Sequence, residues 1–238
     1  MSISVTNKLI QNFTQVVNGP TNITSNSITW TVGKEYVAII SYVNTGTPQN
    51  QISNVQPPGG TLTPATAGDS LPTSFSYFNI YVLTVPATTT GGLLMINNGS
   101  GYSGFSATVI IDEITYLDDT SPCTIAYQQN GSLASTTSIT LNQGSTVNNY
   151  HNGYYTACVG QTSNLAITTP SPFVVNDAVA SHAGFQIQTM YAPSITAINP
   201  ASMPVMTCSP AAFMYYWYGE FGVGQKSPSN GWITIAGV

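Results

Sequence analysis

Few side chains in this sequence could do chemistry, and half of the eight acids fall together as Asp112, Glu113, Asp118 and Asp119. Carboxylates this close could hold calcium, or act as the acid and base of glycoside hydrolysis, which needs two carboxyls about 5–10 Å apart. Asp112 and Glu113 lie inside the apolar run Ser106–Leu117, which reads as a strand. Adjacent strand residues point to opposite faces, so these two carboxyls cannot converge. Asp118 and Asp119 stand just before Thr120-Ser121-Pro122, where such side chains cap turns. A structural role is the stronger reading, and a loop calcium ion near Asp118 and Asp119 is the alternative.

The other polar candidates are isolated. His151 lies in an Asn- and Tyr-rich stretch, and His182 opens a strand beside Ala183-Gly184. Neither stands beside the nucleophile and acid that a catalytic triad requires. The Gly99–Gly104 stretch has the wrong spacing for a nucleophile elbow. In Gly222–Ser227 a glutamine separates the last glycine from Lys226, which breaks the phosphate-loop pattern. Cys123, Cys158 and Cys208 are odd in number and widely spaced, unlike a disulfide framework or a zinc signature. All three are expected to be reduced and at least partly buried. The expectation is no catalytic residue, no metal site and no cofactor.

The densest feature is aromatic, the run from Phe213 to Phe221 (FMYYWYGEF). On a strand, Phe213, Tyr215, Trp217 and Phe221 share one face, and Met214, Tyr216 and Tyr218 share the other. One face can pack a core. A second aromatic face is too apolar to leave in water. It is covered within the domain, covered by another subunit, or used as a platform for sugar rings. Phe213, Tyr215, Tyr216, Trp217 and Tyr218 are the interface candidates.

The elements that must position these residues are strands. Gly (21) and Pro (15) punctuate the chain, strong helix formers are scarce, and the apolar residues come in short β-branched and aromatic runs. Strands are predicted near Ser27–Val32, Tyr36–Val43, Gln51–Val55, Phe75–Val85, Ser106–Leu117, Ser138–Leu141, Tyr154–Val159, Asn164–Thr168, His182–Tyr191 and Ala212–Phe221. A last short one is predicted at Trp232–Ile235. The fold class is all-β, a single antiparallel jelly-roll-like sandwich. Residues 1–20 read as an N-terminal arm, 21–223 as the sandwich and 224–238 as a C-terminal extension. The polar stretch Gly131–Thr146 reads as a long connection, and Leu117–Pro122 is the alternative place to divide the chain.

Composition narrows the function. Of 238 residues, 42% are hydrophobic and only 5% charged, against about 25% charged in an ordinary soluble domain. Three lysines, no arginine and a net charge of −5 leave too few cations to neutralise phosphates, so nucleic acid is not an expected partner. The same scarcity excludes an anionic membrane surface, and no apolar run reaches the roughly 18–20 residues of a transmembrane helix. MSISVTNKLIQNF lacks the basic start and apolar core of a signal peptide. The expected compartment is therefore a reducing cytoplasm.

Three stretches carry a family resemblance: Trp30–Tyr36 (WTVGKEY) before an apolar strand, Val55–Thr61 (VQPPGGT), and Tyr81–Ala87 (YVLTVPA) with Gly91. With the aromatic closing strand, their order resembles the jelly-roll domains of tailed-phage virion proteins and bacterial surface proteins. The resemblance implies a binding or scaffold role and transfers no catalytic residue. The chain is expected to be non-enzymatic and to decorate a phage capsid as a cement protein made in the host cytoplasm. Tail or fibre component and carbohydrate-binding module are the alternatives. Expected partners are the viral major capsid protein or other virion proteins and, as a homotrimer, further copies of the chain. A glycan is the alternative ligand.

Overall fold

The computed structural model describes residues 3–16, 22–44, 52–70, 76–97, 105–117, 124–140, 152–160, 165–181, 184–195 and 205–222. Among them every regular element is a strand and every strand pair is antiparallel. The all-β antiparallel sandwich is the fold class the sequence predicts. The number of layers is not: the sheets stack in three layers where two were expected.

The middle layer has the order β1 (Ile3–Val16), β11 (Phe105–Tyr116), β4 (Glu35–Asn44), β8 (Ser76–Leu83), β7 (Ala67–Ser70). On one side lies a sheet of β2 (Asn22–Thr24), β10 (Leu94–Asn97), β5 (Ile52–Gln56) and β6 (Thr63–Pro64), beside the ribbon β3 (Ile28–Trp30) and β9 (Thr89–Gly91). On the other lies the third sheet: β12 (Thr124–Thr140), β17 (Val205–Gly222), β13 (Asn152–Gly160), β16 (Gln186–Ile195), β15 (Val174–Ala180). The short β14 (Ala166–Thr168) pairs with β17.

Strand β4 explains why the middle sheet is covered twice. Tyr36, Val37, Ala38, Ile39, Ile40, Ser41 and Tyr42 are all buried, a continuous apolar run rather than the alternation of a half-wet strand. Tyr36, Ala38, Ile40 and Tyr42 pack with Val55, Met95 and Trp30 of the first half. Val37 and Ile39, with Phe78, Ile80 and Ile110, pack instead with Tyr155, Ile187, Tyr215 and Trp217 of the second half. Each large side chain so buried contributes roughly 1.5–3 kcal/mol.

Hydroxyl and ring donors pin the first sandwich. Tyr81 donates to the Ile52 carbonyl at 3.1 Å, and the Ile52 N–H donates to the Tyr42 hydroxyl at 3.2 Å. Trp30 Nε1 donates to the Gly91 carbonyl at 2.9 Å. Gly33 and Gly59, both in the stretches that carry the family resemblance, take φ of +79° and +70°, a left-handed conformation that glycine adopts without a Cβ penalty.

Two sequence expectations need correction. The stretch read as an arm is largely a strand: Ile3–Val16 pairs with β11. A bulge at Lys8, between the Asn7–Asp112 and Leu9–Ile111 pairs, hid it. The bulge reverses the alternation, so Ile3 and Val5 face the second half while Leu9 and Phe13 face the first. The polar connection beginning at Gly131 is, up to Thr140, part of β12, held by its ladder to β17. Ser/Thr-rich sequence can pair at a sheet edge, where one side stays wet. Strand pairing among the described residues never crosses 118–123. The stretch considered as an alternative boundary separates two sets of sheets that share one core. The 224–238 extension lies outside the described residues.

Candidate functional site

The aromatic strand has the predicted alternation, and the same chain covers both of its faces. Tyr215, Trp217 and Phe221 enter the core shared with the middle sheet. Tyr215 meets Phe78 edge-on at 5.4 Å, and Trp217 lies 6.2 Å from Tyr155 and 6.4 Å from Phe221. Met214, Tyr216 and Tyr218 enter a second cluster with Tyr154, Phe173, Leu165 and Met190. Tyr218 stacks on Tyr154 at 5.5 Å. Gly219 interrupts the aromatics because a Cβ there would lie 2.5 Å from Trp217 Cη2. Tyr215, Tyr216, Trp217 and Tyr218 are at most 7% exposed and Phe213 is half-buried. Of the five interface candidates, Tyr215, Tyr216, Trp217 and Tyr218 are therefore packed within this chain.

The chemistry-bearing cluster lies elsewhere, between the middle sheet and the third. Asp112 on β11 is fully buried. Its Oδ2 accepts the Tyr155 hydroxyl proton at 2.5 Å, and its Oδ1 accepts from Asn7 Nδ2 at 3.0 Å. Asn7 Nδ2 also donates to Asp177 Oδ2 on β15 at 3.0 Å. Asp177 further accepts from Asn176 Nδ2 at 2.8 Å and from the Thr189 hydroxyl at 3.4 Å. One amide from the first half thus bridges two carboxyls, one from each half. Burial pushes the Asp112 carboxyl up to about 7. The Tyr155 hydrogen bond opposes this rise and the charge of Asp177 adds to it. Burial, then the charge of Asp112, also holds the Tyr155 phenol well above its ordinary range.

Glu113 faces the other way, as the strand rule required. It accepts from the Tyr36 hydroxyl at 2.6 Å and pairs with Lys8 at 3.5 Å. Burial, reinforced by this hydrogen bond, pushes Tyr36 up to about 12. Asp112 and Glu113 therefore form no carboxylate pair. Asp118, Asp119, His151, His182 and Cys123 lie outside the described residues. Cys158 and Cys208 are free and buried, and burial pushes the Cys158 thiol up to about 12. Among the described residues no group of three or more His, Cys, Asp or Glu side chains could hold a metal ion.

Sequence reasoning found Asp112 and missed Asn7, Tyr155, Asn176, Asp177 and Thr189. A signal for Asp177 existed. In a chain with eight acids, Val174-Val175-Asn176-Asp177-Ala178-Val179 sets one between apolar strand residues, as Ile110-Ile111-Asp112-Glu113-Ile114 does. Arranged this way, the cluster can hold or release a proton and join two sheets. Its sealed carboxyl cannot meet a substrate.

No family model matches the chain, and no curated protein matches it. Among solved structures it is similar to the STIV MCP, a viral major capsid protein, over 97% of this chain and 100% of that one. The identity is 13% and the TM-score 0.26, values too low to transfer fold or function.

Proposed function

We propose that this chain is a non-enzymatic structural protein of a virus particle that decorates the shell and stabilises it by adhesion. One observation carries this reading: among the described residues, the groups most strongly perturbed by their surroundings, Asp112, Tyr155 and Cys158, are wholly interior. In a chain with 5% charged residues, the remaining surface has mainly shape, neutral hydrogen bonding and exposed apolar side chains to offer. Val174 and Val175, 45% and 49% exposed on the sheet-edge strand β15, are of that kind. The sequence resemblance at Trp30–Tyr36, Val55–Thr61 and Tyr81–Ala87 supports the virion setting and a capsid-protein partner. Because β1 belongs to the middle sheet, attachment does not use it as a free arm. Because the aromatic strand is core, trimer contacts fall to other surfaces.

Repetition would make modest contacts sufficient. A subunit bound at many equivalent sites gains avidity, and a ligand that prefers the intact shell stabilises it by mass action. The test adds purified protein to undecorated particles and measures bound protein and the temperature of shell rupture. Binding with a raised rupture temperature is expected, and added salt should change it little because few ionic contacts exist. Absence of binding, with retention on a polysaccharide column instead, would replace this reading by the glycan-binding one.

A further inference from the structure

The polar cluster between the two halves has a composition that neither adhesion nor ordinary core packing requires. Two carboxyls from different sheets approach one another beside an aromatic and aliphatic core, and among the described residues the donor they share is the amide of Asn7. The groups facing Asp112 from each packed element are few. Strand β1 presents Asn7, β13 presents Tyr155, β15 presents Asp177, and β4 sets Val37 opposite Asp112 in the ladder. Thr189 on β16 reaches Asp177. Lys8, the nearest cation in the ladder, is turned to Glu113 on the other face. Among the described groups no positive charge therefore offsets the pair. Asp177 is half-buried and Asp112 fully buried; two carboxylates in that setting repel, and taking Asp112 out of water as an anion is costly.

The geometry points to a proton-operated latch: Asp112 carries a proton when the halves are closed on one another, and its ionisation in the presence of the Asp177 carboxylate loosens the contact between the middle and third sheets. The proton comes from solvent and returns to it, and no covalent bond changes. The sign follows from linkage. The folded-state value of Asp112, about 7, lies above its unfolded value of 3.8, so the folded form binds the extra proton between them. Stability from this group is fully present below about pH 4 and is lost as pH rises through about 7. At its steepest, one linked proton lowers the folding equilibrium constant about tenfold per pH unit. This inference stands whether or not the protein coats a shell.

The experiment follows unfolding of the full chain from pH 4 to 8, with hydrogen exchange corrected for intrinsic pH dependence. In the wild type the unfolding midpoint should fall towards pH 8, with exchange rising in β11 and β15 before the strands of the outer four-stranded sheet. Asp112→Asn should remove most of that fall, and Asp177→Asn should shift it to lower pH by removing the repulsion. An Asp112→Asn protein whose midpoint falls as steeply as the wild type's overturns the latch. If that variant does not fold, the wild type still decides the matter through its infrared carboxyl band. Because Glu35 is also buried, the band is followed in Asp177→Asn as well: a protonated acid that persists to about pH 7 in the wild type and ionises at lower pH in that variant supports the latch, and loss of every protonated acid by pH 5, or a band that Asp177→Asn leaves unmoved, overturns it.

Discussion

The two faces of β17 carry similar aromatic loads and depend on different parts of the molecule. The face of Tyr215, Trp217 and Phe221 is closed by the middle sheet, which belongs to residues 3–116. The face of Met214, Tyr216 and Tyr218 is closed by residues of its own half, among them Leu165, Phe173 and Met206. The first face joins the halves and the second holds one half together. Among the described residues, it is the joining side that holds the buried Asp112 carboxyl and the amide that bridges it to the half-buried Asp177. Aromatic content therefore says that a strand is covered on both sides, and not by what.

Matched substitutions can break this comparison. Trp217→Ala should have the largest effect, about 3–5 kcal/mol, read from denaturant unfolding. Its local signature should be faster hydrogen exchange in β4 and β11 as well as in β17. Met214→Ala, equally buried, should cost about 2–5 kcal/mol with exchange rising only in strands of the third sheet. Equal spread of exchange in the two variants would erase the distinction between joining and internal faces.

Tyr155→Phe sharpens it further. Losing the donor to a buried carboxyl should cost about 1–3 kcal/mol, and more at pH 8 than at pH 5. The Tyr155 hydrogen bond favours the ionised form of Asp112, so without it the carboxyl should hold its proton to still higher pH. A pH-independent loss would contradict this assignment. Glu113→Gln, one residue away on the opposite face, should cost no more than about 1 kcal/mol, by chemical denaturation. Its ion pair with Lys8 is partly exposed, at 25% and 13% for the two side chains. Smallest in energy is the thiol prediction: Cys158 should stay unreactive in the native protein at pH 8 and react on unfolding, followed with a chromogenic disulfide reagent, because burial keeps it a thiol.

The long apolar strands were legible because burial writes itself into composition. The runs at Tyr36–Val43, Phe75–Val85 and Ser106–Leu117 correspond to β4, β8 and β11, and the opposed directions of Asp112 and Glu113 followed from strand geometry alone. Strand β1 was not legible, since one bulge at Lys8 exchanges its faces and breaks the period of two. Nor, apart from its end within the strand predicted at Ser138–Leu141, was β12, a Ser- and Thr-bearing strand held by its ladder to β17. In the polar cluster, Asp112 and Asp177 each carry a local signal, an acid set among apolar strand residues, and sequence reasoning singled out only Asp112. Its partners come from positions 7, 155 and 177, and nothing local to any of them encodes that meeting.

By itself the sequence determined an antiparallel all-β body, the two aromatic faces of its closing strand and a chain poor in ionic chemistry. These follow from side-chain periodicity and composition, which are local properties. The tertiary structure alone decided that the sheets stack in three layers, that both aromatic faces are covered within the chain, and that Asp112 meets Asp177 through Asn7. Those are contacts between residues some 105 and 170 positions apart, fixed by which sheet faces pack together. A buried carboxyl acquires its unusual proton affinity from that packing, because the low-dielectric surroundings and the second charge exist only once the two halves meet.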